Sequence, residues 1–136
     1  QDQLKNVQQI QASCNAFAAV LGDGSVVTWG DRAFGGDSST VQDQLKDVQQ
    51  VQASCGAFAA ILGNGAVVTW GNARFGGDSH SVHDQLKDVR RVQASDFAFA
   101  AIRGNGSVMT WGDPDFGGDS EGVQDQLADV QHVQAS

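Results

Sequence analysis

Basic side chains are scarce in this chain: eight Lys and Arg stand against sixteen Asp and Glu, a net charge of −8. Gripping a phosphate backbone takes a basic patch, so nucleic-acid binding is not expected. Adhesion to anionic lipid is disfavoured for the same reason. No apolar run approaches the roughly 20 residues of a membrane-spanning helix, so direct membrane insertion is not expected either. The start, Gln1-Asp2-Gln3-Leu4-Lys5, lacks the basic and apolar stretches of a signal peptide, and a soluble, non-secreted protein is the expectation. There is no initiator methionine, which points to processing or to truncation of a longer chain. Cysteine occurs twice, at Cys14 and Cys55, with Asp96 at the matching third place. That is neither a disulfide framework nor a metal-ligand spacing, and two small, half-buried thiols are expected. A bond between them requires Cα atoms within about 7 Å. Stacked solenoid coils allow that distance, and propeller blades usually do not. The one proline, Pro114, falls in a loop.

What the chain has is repetition. Residues 1–41, 42–82 and 83–123 are three copies of one 41-residue unit, and residues 124–136 begin a fourth. The first two copies match at about three quarters of their positions, with no insertion or deletion. With 40% hydrophobic residues the whole length is expected to fold as a single repeat domain. One copy is too poor in apolar residues to fold alone, so neighbouring copies must bury what each leaves exposed.

Each copy reads in four parts. Val41, Leu45 and Val48 have helical spacing and predict a short helical or irregular turn over 43–48. The Gln-rich run 7–13 suits a strand with one wet face. Runs 16–21 and 25–29 flank Asp23-Gly24, and their counterparts flank Asn64-Gly65 and Asn105-Gly106. Asp-Gly or Asn-Gly between apolar runs predicts a β-hairpin with a type I′ turn. A loop follows each Trp-Gly and ends in Phe-Gly-Gly-Asp-Ser, its Phe34, Phe75 or Phe116 serving as the anchor of that loop. The expected core is Val7, Ile10, Phe17, Val20, Val27 and Trp29 with their counterparts. The fold class is therefore all-β, a tandem array of antiparallel hairpin repeats.

The stretch from Ala16 to Gly30, a hydrophobic strand, an Asp-Gly turn and a strand ending in Trp-Gly, resembles the repeat of the regulator of chromosome condensation family. Phe34-Gly35-Gly36-Asp37-Ser38 sits at that family's Gly-rich loop, and 7–13 at its next strand. The wording also looks like that of repeat arrays in large algal proteins. The resemblance implies blades of a β-propeller. The family closes seven blades, however, and three and a third short copies imply an open or partial propeller-like array. A three-fold β-trefoil-like domain and a β-solenoid are the alternatives.

Little in the chain suggests catalysis. His80, His83 and His132 do not recur between copies, and no nucleophile and base repeat together. Asp31, Asp37, Asp78, Asp113, Asp115 and Asp119 lie in Gly-rich loops without calcium-loop spacing and are expected to form turns. No cofactor is expected. The family's activities include nucleotide exchange on a small GTPase, enzyme inhibition, ubiquitin-ligase partner binding and light sensing by clustered tryptophans. None carries over residue by residue, and Trp29, Trp70 and Trp111 are expected in the core. The copies differ at Phe97, Arg32, Arg74, Asp115, His80, Glu121, Arg90 and Arg91, which are the candidate contacts for a protein partner, with neutral variation as the alternative. The expected function is a non-catalytic module for protein–protein interaction or scaffolding, such as a peripheral subunit of a large assembly. An algal source would make a photosynthetic membrane complex one host. A regulator of a small GTPase or other enzyme and a lectin-like carbohydrate binder are the alternative functions.

Overall fold

A computed structural model of the chain describes residues 6–116 and residue 133. The rest of the fourth copy, Glu121, His132, Asp119 and the end of the third loop lie outside the described residues. Each full repeat folds into its own three-stranded antiparallel meander. The first sheet is β1 (Val7–Ala12), β2 (Ala16–Leu21) and β3 (Val26–Gly30). The second is β4 (Val48–Ala53), β5 (Ala57–Leu62) and β6 (Val67–Gly71), and the third is β7 (Val89–Ala94), β8 (Ala98–Arg103) and β9 (Val108–Gly112). Strand order follows chain order in all three sheets. A solenoid would run successive repeats into shared sheets, and a trefoil would close them around one barrel. Here every repeat keeps a separate sheet, as in an open, propeller-like array.

The first strand of each sheet carries a bulge. Val48 faces Leu62 and Gln50 faces Ile61, so Gln49 is an extra residue on one side of the ladder. Val48 and Val51 stand three apart and in a regular strand would point to opposite faces. The bulge resets the phase, and both are buried.

The three hairpins form where expected, but their turn is of another type. Gly24 lies at φ 83° while Asp23 does not enter the positive-φ region, so the turn is not type I′. The Gly24 N–H donates to Leu21 O and the Leu21 N–H to Ser25 O, both at 2.9 Å. This is a tight turn followed by one left-handed glycine. Asp23 is selected as an acceptor: its Oδ1 takes the Ser25 N–H at 3.0 Å and the Ser25 hydroxyl at 2.6 Å. Those two bonds hold its carboxyl below the usual range. Asn64 and Asn105 cap the Ala66 and Ser107 amides in the same way.

After each Trp-Gly the chain makes a single 3-10 turn, at Arg32–Phe34, Ala73–Phe75 and Pro114–Phe116. In the first two repeats it then returns alongside the third strand. Thr28 Oγ1 meets Gly36 O at 3.3 Å and Ser38 Oγ at 3.0 Å, and Gln42 donates to Val26 O at 3.0 Å. Side-chain bonds from this return segment protect a strand edge that would otherwise be open. The region expected to be a helical or irregular turn holds short 3-10 helices, Gln42–Gln44 and His80–Gln85, each followed by a buried leucine, Leu45 or Leu86.

The sheets stack through unlike faces. One face of the second sheet carries Ala57, Ala59, Ile61 and Val67, and it packs against Val89, Val92, Phe99 and Trp111 of the third. The first sheet meets the second in the same way, with Ala16, Ala18, Val20 and Val26 against Val48, Val51, Phe58 and Trp70. Small residues on one face let the aromatic face of the next sheet close in. This corrects the expected core in the first copy. Ile10, Phe17 and Trp29 are 53%, 43% and 36% exposed, although their counterparts in the other two sheets are buried. No described residue covers the aromatic face of the first sheet. Val26 is buried in place of its half-exposed neighbour Val27.

The expectation of two thiols is also overturned. Cys14 and Cys55 are joined by a disulfide, with Cα atoms 4.8 Å apart. The corners before the second strands of successive repeats are in backbone contact. The Cys14 N–H donates to Cys55 O at 2.7 Å and the Cys55 N–H to Asp96 O at 2.8 Å. At this corner the blades approach as closely as solenoid coils do.

Candidate functional site

The candidate contact residues sort by the end of the array they occupy. At the Trp-Gly end, three 3-10 turns stand on successive repeats, each built on the same framework. Asp31 Oδ1 accepts the Ala33 N–H at 2.9 Å, Asn72 accepts that of Arg74 at 2.9 Å, and Asp113 that of Asp115 at 3.0 Å. Each turn is tied to the sheet below. The Ser13 hydroxyl donates to Phe34 O at 2.8 Å and the Ser54 hydroxyl to Phe75 O at 2.6 Å. The Asp31, Asn72 and Asp113 amides donate to the carbonyls of Asn15, Gly56 and Phe97 at 2.9 Å. Asp31, Asp37, Asp78 and Asp113 each accept a turn amide, as expected of the loop aspartates, while Asp119 lies outside the described residues.

Arg32, Arg74 and Asp115 sit exposed on these three rigid turns. Arg32 bonds Asp37 at 2.9 Å. The Ser39 hydroxyl and amide, together with the Arg32 guanidinium, lower the Asp37 carboxyl to about 2. Phe97 stands at the same end but is half-buried, its ring 5.0 Å from that of Phe75. Phe75 in turn lies 6.0 Å from Phe34. Phe34 and Phe75 therefore stack from one repeat to the next, and do not serve only their own loops. This row explains one difference between the copies. A side chain at Gly56, where the first copy has Asn15 and the third Phe97, would run into the rings of Phe75 and Phe34.

The other candidates lie elsewhere. Arg90 is the bulge residue of β7 and bonds Asp88 at 3.1 Å, and Arg91 follows it, both exposed at the hairpin-turn end. His80 opens the 3-10 helix of the second return segment, and its amide donates to Asp78 Oδ1 at 2.9 Å. Sequence reading did not single out Gly35 and Gly76, which turn out to join the repeats. The Trp70 indole N–H donates to Gly35 O at 3.1 Å, and that of Trp111 to Gly76 O at 3.0 Å. The recurring Phe-Gly-Gly and Trp-Gly, 35 residues apart, were the available signal.

The first repeat has an open groove of about 440 Å³ between β3 and the return segment, lined by Val26, Thr28, Ser38 and Gln42. Its polar groups already bond one another. Among the described residues, no three His, Cys, Asp or Glu side chains gather in a way that suits a metal ion. Also among them, no helix is long and apolar enough to cross a membrane.

These features define a class: an all-β repeat array of propeller-type blades, each docked on the next through a tryptophan and a glycine turn. No family model matches the chain, and no curated protein matches it. Solved structures do. Human WBSCR16 superposes with a TM-score of 0.58 at 20% identity, over 79% of this chain and 34% of its own. Prp20p from Saccharomyces cerevisiae gives 0.58 at 17% identity, over 81% and 31%. The CRINKLY WD40 ectodomain of the Arabidopsis thaliana receptor kinase ACR4 gives 0.55 at 20% identity, over 80% and 37%. The chain spans about a third of the length of each. Its fold is that of repeats in RCC1-type and related β-propellers.

Proposed function

We propose that the chain is a non-catalytic module for binding other proteins, and that its contact surface is the Trp-Gly end of the array. The observation that carries this reading is the row of three identically capped 3-10 turns. They hold Arg32, Arg74 and Asp115 exposed on a fixed frame, with Phe97 beside them. Varied side chains on a rigid repeated scaffold are the usual build of a repeat-protein binding face. The structural neighbours lend support, since yeast RCC1 (Prp20) has been crystallised with Kap60 bound and Prp20p is described with its binding to Gsp1p and histones. The disulfide fits an oxidising compartment, where such bonds persist.

The test is affinity capture from an extract of the source organism, with two variants compared against the parent. Replacing Arg32, Arg74, Phe97 and Asp115 by Ala should abolish retention of the partner, while replacing Arg90 and Arg91 should leave it intact. Retention untouched by the first variant, or the absence of any saturable partner, rejects the reading. Stimulated nucleotide release from a small GTPase would instead support the regulator that the family resemblance implies.

A further inference from the structure

The large apolar side chains exposed among the described residues, Ile10, Phe17 and Trp29, share one face of the first sheet. Phe17 pairs with Trp29 across β2 and β3, and Ile10 pairs with Ala19, two residues along from Phe17. Residues paired across an antiparallel ladder point to the same side. The face is already in its docked arrangement. The Phe17 and Trp29 rings stack at 5.4 Å, the separation of Phe58–Trp70 and Phe99–Trp111 in the covered sheets.

The structure shows twice what covers such a face. The turn Phe34-Gly35 of the preceding repeat lies over Phe58 and Trp70. Gly35 O takes the indole proton, and its α-carbon approaches so closely that a Cβ would stand 2.5 Å from the Phe58 ring. Beneath that turn the alanine-rich face closes on Val51. Gly76 repeats the arrangement over Phe99 and Trp111. At Trp29 the indole N–H has no such acceptor among the described residues.

We infer that the Ile10–Phe17–Trp29 face is a docking site for one occupant: a further repeat of this type, which presents a Phe-Gly-Gly turn and an alanine-rich sheet face. The occupant must supply a glycine carbonyl to Trp29, a residue without a side chain over Phe17, and small side chains opposite Ile10. A generic apolar ligand meets none of these requirements together. The ready-stacked rings mean that little ordering is lost on docking. This site is independent of the loop surface proposed above, because it lies on a sheet face and its partner is a blade.

The test adds a second copy of residues 1–41 ahead of Gln1, so that the new junction repeats the one between Val41 and Gln42. Hydrogen exchange of the three original indole N–H groups is then followed by NMR. In the parent chain Trp29 should exchange fast while Trp70 and Trp111 are protected. In the extended chain Trp29 should slow at least tenfold, towards their range. Replacing with Val the added glycine that corresponds to Gly35 should return Trp29 to fast exchange and leave Trp70 and Trp111 protected. An extended chain in which Trp29 stays fast overturns the inference, whether or not the added residues are ordered. Protection that survives the Gly→Val change overturns it as well. Neither outcome bears on the loop surface, which the capture experiment reads separately.

Discussion

At Gly35 a hydrogen stands where any other residue would place a carbon 2.5 Å from the Phe58 ring, and the backbone lies at φ 100°. Gly35→Ala therefore combines a strained conformation with a clash inside a packed interface, and should cost about 2–4 kcal/mol in urea unfolding. An unchanged midpoint would show that the turn does not seat on Phe58. The same interface separates two otherwise equivalent phenylalanines. Phe58→Ala should cost about 3–5 kcal/mol, and Phe17→Ala under about 1.5 kcal/mol, because only Phe58 is covered. Equal losses would contradict the open face. Asp37 gives a pH signature. Its folded-state value of about 2 lies below the ordinary 3.8, so its contribution is complete above the ordinary value and is lost as pH falls through about 2. Asp37→Asn should remove that acid-side slope between about pH 4 and 2, read as the pH dependence of stability. A variant that keeps the slope would place its source at other carboxyls.

Among the elements, the bulged first strands make the sharpest prediction. Gln49 is exposed and packs against nothing in the core, so Gln49→Ala should change stability by no more than about 0.5 kcal/mol. Deleting Gln49 removes the bulge and drives Val48 or Val51 out of the core, a loss of about 2–3 kcal/mol. A deletion as harmless as the alanine change would mean that the strand does not need the extra residue to bury both valines. The hairpins, by contrast, were open to sequence reading because Asp-Gly and Asn-Gly recur at one period. Their turn type was not. Both turn types place glycine second, and only the tertiary position of the preceding Asp or Asn shows that it acts as an acceptor and not as a left-handed residue.

For the whole molecule, the disulfide ties two repeats whose cysteines are 41 residues apart. Closing a loop of that length restricts the unfolded chain by about 4 kcal/mol. Reduction should lower stability by up to that amount, and Cys14→Ser with Cys55→Ser should match the reduced parent. Thiol labelling of the unfolded, unreduced chain checks the bond itself, since two reactive thiols there would mean that it never formed. In a repeat array coupling passes between neighbours, so the loss should centre on the first two repeats. The third repeat, with Asp96 at the matching place, should keep its amide protection.

The sequence by itself determined the repeat, its 41-residue period, the three hairpins and the aromatic positions, because local turn chemistry and strand spacing are written in contiguous residues. It also marked Arg32, Arg74, Asp115 and Phe97 as places where copies diverge. Only the tertiary structure decided which identical residues are buried. Phe17 and Phe58 sit in the same local sequence, and Trp29 and Trp70 hold the same place in equivalent strands, yet one of each pair is covered and the other is not. The physical reason is that a blade cannot bury its own aromatic face. That task belongs to the glycine turn of the neighbouring repeat, and the Cys14–Cys55 bond likewise exists only because neighbouring corners meet.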